Sequence, residues 1–150
     1  MSSNGDDALQ GLLDRDAISA LVFDYAYALD HRDWDLLRSC FTSDATADFG
    51  DFGGAHTGAD AITAFVSGAL APLTATQHLT GNTRIQLAGD TATSTSYVHA
   101  QHVRAGTDGG ENFTIGGTYR DTLVRTDGRW RFASRVLVAI WVEGNAAIFD

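Results

Sequence analysis

From residue 74 onward the chain consists of long runs rich in Thr, Val, Tyr and Ile, interrupted only at "AGD", "AGTDGGE" and "TDGRW". Runs of β-branched and aromatic residues bounded by Gly- and Asp-containing turns read as strands. Four long antiparallel strands are expected, roughly 75–88, 91–105, 111–126 and 129–143. The last two are joined by Asp127-Gly128, a pair that favours the positive φ angles of a tight hairpin.

The first half has a different texture. In "LLDRDAISALVFDYAYALDHRD", Leu13, Ala17, Leu21, Tyr25 and Leu29 recur at helical spacing, and Ile18 and Val22 widen the apolar face. His31 and Arg32 suit the carboxyl end of this helix, and Asp33 can cap a second, short helix through "WDLLRSCF". A third helix is expected over "TGADAITAFVSGAL", with Thr57 or Asp60 at its start and Pro72 just past its end. Between the second and third helices, "ATADFGDFGGAH" reads as a short strand and a Gly-rich turn. Helices followed by a meander indicate an α+β fold, with the helices packed on one face of a strongly curved, mostly antiparallel sheet. Residues 1–11 are expected to be a disordered lead-in and 12–150 a single domain, with no repeat or linker.

Composition narrows the function classes. A chain of 150 residues is long enough to bury a core without disulfides, and 44% hydrophobic content with 19% charged residues is globular. No segment approaches the roughly 18 apolar residues of a membrane-spanning helix. The amino terminus carries acids where a secretory signal carries positive charge, and Cys40 is the sole cysteine, so a cytoplasmic protein is expected. With 19 acids against 10 bases the net charge is −9, which repels nucleic acid and anionic lipid. No metal is expected, because no short ligand pair occurs and His99 and His102 have opposite strand parity. No Gly-rich phosphate loop is present either, so no organic cofactor is expected.

A curved sheet closed by helices makes a cone with an interior pocket, and period two decides which side chains enter it. On the strand at 75–88, His78, Thr80, Asn82 and Arg84 share a face; on the next, Ser94, Ser96, Val98, Ala100, His102 and Arg104 do. Small residues on the second strand leave room for a ligand, with His102 at the polar end of the row. Asp30 ends the first helix within reach of a histidine on the sheet, and a carboxylate beside an imidazole fixes its tautomer and stabilises the imidazolium. Each residue has an ordinary reading too. A histidine on a strand is more often a satisfied side chain than a catalyst, Asp30 can cap the second helix or pair with Arg32, and Tyr25 and Tyr119 can be packing residues. His31, His56 and His99 are expected at the surface or in the core.

The stretches "YAYALDHRDWDLLRSCFTSDA", "TATQHLTGNTRIQL" and "IGGTYRDTLVRTDGRWRF" resemble, in order, the signatures of the SnoaL-like branch of the nuclear-transport-factor-2-like superfamily. The resemblance runs from about Leu12 to Trp141. The first two stretches are similar to scytalone dehydratases, the third to hexachlorocyclohexane dehydrochlorinases, and the Tyr25 to Asp30 spacing to bile-acid 7α-dehydratases.

This resemblance implies a cone-shaped α+β barrel whose pocket holds an Asp-His pair on Asp30 and His78. His78 would be the general base, with Asp30 orienting it. His102 would donate a proton to a departing group or hold the substrate, and Tyr25 would be catalytic. Tyr119, Phe49, Trp141 and Val98 are the expected substrate-binding residues. The tyrosines that position a water in scytalone dehydratases correspond to Leu29 and Phe49, and the Ser and Asn of their third long strand to Gly117 and Tyr119, so a different substrate is expected. The implied activity is a cofactor-independent lyase of the dehydratase type on a small, mostly apolar cyclic substrate. A polyketide cyclase or isomerase using the same pair is the alternative, and a non-catalytic ligand-binding or assembly domain the second. Relatives associate through the outer sheet face, which implies a homodimer or homotrimer.

Overall fold

The computed structural model describes residues 4–150. Its elements are α1 (Asn4–His31), α2 (Trp34–Ser39), β1 (Phe41–Asp48), a 3-10 turn at Gly50–Phe52, β2 (Ala55–Thr57), α3 (Ala59–Leu70), β3 (Ala75–Ala88), β4 (Thr91–Val103), β5 (Asn112–Thr126), β6 (Arg129–Gly144) and a 3-10 turn at Ala146–Phe149. The six strands form one sheet in the order β2-β1-β6-β5-β4-β3. All neighbours are antiparallel except β1 and β6. The sheet curls around α1 without closing, so β2 and β3 remain edges. No described helix is long and apolar enough to cross a membrane.

Residues 4–11, expected to lack structure, are instead the opening turns of α1, and residues 1–3 lie outside the described residues. Asp6 and Asp7 fall in the first turn, where negative charge favours the helix dipole. Further on, Ile18, Leu21, Val22, Tyr25 and Leu29 are buried against the sheet. The helix ends where Arg32 takes a left-handed conformation (φ 58) and Asp33 N–H reaches back to Ala28 O at 2.9 Å. Asp33 caps α2 as expected, its Oδ1 accepting from Leu36 N–H at 3.0 Å. At the start of α3 neither Thr57 nor Asp60 is the cap; Gly58 is, at φ 96, a backbone conformation that strains any residue with a side chain.

Bulges set which side chains face inward. The β3–β4 register shifts between Gly81 and Arg84, with Asn82 left-handed at φ 50. His78 and Thr80 keep the inward parity, but beyond the bulge Ile85 pairs with Ser94 and Leu87 with Ala92, so these face the core while Asn82 and Arg84 are exposed. The expectation that Asn82 and Arg84 share the His78 face therefore fails, because one extra residue inverts a period-two pattern. A second bulge leaves Ala133 without a partner, Thr122 pairing with Ser134 and Leu123 with Phe132. A third leaves Ile140 out, Gly117 pairing with Ala139 and Gly116 with Trp141.

At the far end of α1, buried Asp14 accepts from Trp130 Nε1 at 3.0 Å and Gln10 Nε2 at 3.1 Å and pairs with Arg125, tying the helix to the β5–β6 hairpin. Burial raises this carboxyl, but hydrogen bonds from Trp130 and Gln10 and the Arg125 charge outweigh it and hold the carboxyl below its ordinary value. That stabilisation is present above the unfolded value of 3.8 and is lost as pH falls through the lower folded value. Asp14→Ala strands the Trp130 N–H in the core and should cost about 1–3 kcal/mol in urea unfolding at neutral pH, with a smaller difference from wild type in strong acid.

Candidate active site

The curled sheet, α1, α3 and the two 3-10 turns enclose a cavity of about 400 Å³. Its walls are largely apolar, from Leu29, Phe49, Phe52, Phe65, Val66, Val98, Ala100, Ile115, Leu137 and Phe149. The polar side chains reaching it are His78, His102, Tyr25 and Tyr119, with Asp51 on the first 3-10 turn. Of the residues expected from sequence, Tyr25, His78, His102, Tyr119, Phe49 and Val98 line the cavity, and Asp30 stands behind His78. Trp141 does not reach it. The bulge at Ile140 turns Trp141 to the outer face, where its ring lies over Gly116; a Cβ on Gly116 would meet the indole at 2.0 Å.

Asp30 at the carboxyl end of α1 grips His78 twice. Its Oδ1 lies 2.7 Å from His78 Nδ1, and its Oδ2 accepts the His78 backbone N–H at 2.8 Å. Thr76 Oγ1 donates to the same carboxylate at 3.0 Å and itself accepts from Arg32 Nη1 at 3.0 Å. Burial raises the Asp30 carboxyl, but the hydrogen bonds from the His78 ring and backbone, the His78 charge and the Thr76 hydroxyl lower it further, so it is ionised at neutral pH. An ionised carboxylate only accepts, which places the imidazole proton on Nδ1 and leaves Nε2 with a free lone pair. The pair is thus poised to take a proton from a molecule in the cavity and to hold the resulting imidazolium beside a carboxylate.

His102 stands 5.5 Å from His78, ring centre to ring centre, edge on. Its Nδ1 is 3.2 Å from Phe113 O, an acceptor, so the proton sits on Nδ1 here also. Burial, then the neighbouring His78 charge, lowers its pKa to about 4 against the raising effect of the Phe113 carbonyl. A neutral ring with this tautomer offers Nε2 as an acceptor.

Deeper in, the Tyr25 and Tyr119 rings meet edge to face at 5.6 Å. Burial raises both phenols, each also shifts the other, and Arg135 partly opposes the rise, so both are neutral donors at neutral pH. The Arg135 guanidinium lies 4.3 Å from the Tyr25 ring, 4.0 Å from Tyr119 and 4.1 Å from Phe132. Asp121 neutralises it through two 2.8 Å hydrogen bonds, while Nη1 is buried without a partner among the described residues. Sequence reasoning missed Arg135 and Asp121. Strict alternation from Trp130 and Phe132 sends Arg135 outward, and only the bulge at Ala133 turns it in. Also missed were Phe52 and Phe149, whose 3-10 turns cover the cavity through Phe113, at ring distances of 6.1 and 5.5 Å. Among the described residues no group of three His, Cys, Asp or Glu is placed to hold a metal.

Residues 10–136 match the SnoaL-like domain family. The chain belongs to that family. An uncharacterised protein, Rv2910c, from Mycobacterium tuberculosis is 35% identical over 123 residues, 82% of this chain and 83% of its own. Among solved structures, the Kfla4162 protein of Kribbella flavida superposes with a TM-score of 0.84 at 28% identity, covering 92% of this chain and 97% of that one. A Novosphingobium aromaticivorans protein provisionally named scytalone dehydratase gives 0.81 at 28% identity, covering 89% and 88%. A hexachlorocyclohexane dehydrochlorinase from Novosphingobium barchaimii gives 0.82 at 21% identity, covering 95% and 97%, a likeness of fold. The cavity of this SnoaL-like domain makes a prediction that needs no substrate. In nitrogen-detected NMR, His102 should stay a neutral Nδ1–H tautomer through the neutral range and protonate only near pH 4. Because the unfolded ring protonates near 6.5, this histidine should draw stability down as pH falls from about 6.5 towards about 4.

Proposed function

We propose that the protein is a cofactor-independent lyase of the dehydratase type, acting on a small, mostly apolar cyclic substrate. The observation that carries this reading is the Asp30–His78 pair, whose free imidazole nitrogen belongs to an apolar cavity that also holds two neutral phenols. Names carried by structural neighbours, a scytalone dehydratase and a dehydrochlorinase, support an elimination or related proton-abstraction role.

In this reading His78 Nε2 removes a proton from carbon next to a carbonyl. Tyr25 or Tyr119 donates a hydrogen bond to the carbonyl oxygen as negative charge builds there, with the Arg135 cation behind both rings. The electron pair then expels a β-hydroxyl, which His102 holds by accepting its hydrogen. The proton that completes the departing water comes back from the His78 imidazolium, or from Tyr25, which the imidazolium then reprotonates.

One observation favours a second reading. His102 has its proton on the Phe113 side and offers none to a leaving group, which suits a cyclase or isomerase that makes the same enolate and relocates a bond or proton. A product lighter by one water marks the lyase; unchanged mass marks the alternative. We further propose that the outer sheet face, where Tyr97, Ile140 and Trp141 are exposed, joins protomers into a dimer or trimer. Light scattering that returns a single 16.0 kDa chain at micromolar concentration would exclude this.

His78→Ala should lower the single-turnover rate by about 10²- to 10⁴-fold. Asp30→Asn should fall nearly as far without unfolding, and the double variant should be little worse than His78→Ala, because the pair acts as a unit. His102→Ala should be milder and act chiefly on KM. A folded His78→Ala protein with near wild-type turnover would end both the lyase and the cyclase readings, since both use His78 as the base.

A further inference from the structure

α1 is apolar on two opposite sides. Ile18, Leu21, Val22 and Tyr25 face the core, while Leu9, Leu13, Phe23 and Tyr27 are each more than half exposed, at 56%, 54%, 52% and 54%. With exposed Asp16 and Ala20 these outward residues follow a spacing of four, three, four, three, four along the helix. That is the alternation of a two-stranded coiled-coil seam, sustained over about 27 Å at 1.5 Å per residue. A single domain has no use for such a seam on its solvent side.

We infer that this outward seam of α1 pairs with the same seam of a second copy, the two helices running antiparallel about a two-fold axis near Ile18. The pattern is self-complementary in that direction. Leu9 then meets Tyr27 of the second copy, Leu13 meets Phe23, and Asp16 meets the small Ala20, which leaves its carboxylate room to stay hydrated. A parallel pair would set Asp16 against Asp16 and acidic first turn against acidic first turn in a chain already at −9. The antiparallel pair instead brings the Asp6–Asp7 turn to the other copy's last turn, which carries His31, and opposes the two helix dipoles. Four half-exposed side chains bury about 100 Å² each, below the roughly 800 Å² per partner of a standard interface before flanking contacts are added. The pairing is therefore reversible. It is also separate from any association through the outer sheet face.

Disulfide capture tests the direction as well as the contact. Leu13→Cys and Phe23→Cys proteins, one carrying a mass tag, should cross-link when mixed under mild oxidation and not when either is oxidised alone. Ala64→Cys on exposed α3 measures the collisional background, and Cys40 is buried. Phe23→Glu on the Leu13→Cys chain should abolish the mixed cross-link and raise the dissociation constant from sedimentation equilibrium at least tenfold with an unchanged circular dichroism spectrum. Tyr97→Arg on the sheet face should leave the cross-link intact. Cross-links within Leu13→Cys alone would mean a parallel pair and overturn the inference. So would yields at the Ala64→Cys background, or a monomer that co-sediments with phosphatidylcholine vesicles, which would assign the stripe to a lipid surface.

Discussion

A sheet of six strands can enclose a cavity only by bending hard, and this one bends where its ladders slip. Each bulge adds a residue to one strand, sharpens the local twist and exchanges the inner and outer faces of everything beyond it. The interior chemistry follows from those exchanges. The slip at Gly81–Arg84 lets β3 carry His78 into the cavity at one end and Ile85 and Leu87 into the core at the other. The slip at Ala133 brings Arg135 opposite Asp121, and the slip at Ile140 sends Trp141 out.

The buried charges depend on this geometry. A guanidinium with 1% exposure is tolerable only when its charge is met and its faces are covered. Asp121 meets the charge, and Tyr25, Tyr119 and Phe132 cover the faces. Two of those rings come from β5 and β6 and one from α1, so the cation fixes the helix against the sheet beneath the cavity. Five residues further along the helix, Asp30 accepts both the ring and the backbone N–H of His78, so helix position and imidazole orientation are set by one side chain. The candidate catalytic pair and the buried ion pair are thus two anchors of one contact between α1 and the sheet.

The two histidines in the cavity differ because of what their Nδ1 atoms face. His78 faces a carboxylate, whereas His102, deep in apolar surroundings, faces only a carbonyl that does not offset the loss of water.

Much of this was legible in the chain itself. Strands of 13 to 16 residues announced themselves through β-branched runs and an Asp-Gly turn, because those preferences are local. The spacing that places Asp30 at a helix end and His78 on a strand, together with the family resemblance, named a pair that the fold brings to 2.7 Å. The sequence alone also determined α1 from Leu12 onward, Asp33 as the cap of α2, and the inward row from Ser94 to His102, all products of short-range periodicity. Only the tertiary structure decided the roles of Arg135, Trp141, Asn82 and Arg84, since a bulge inverts parity without leaving a mark in the pattern of apolar residues. It also decided that His102 Nδ1 lies against Phe113 O, because that depends on a backbone carbonyl of a neighbouring strand, and no side-chain sequence records where a carbonyl points.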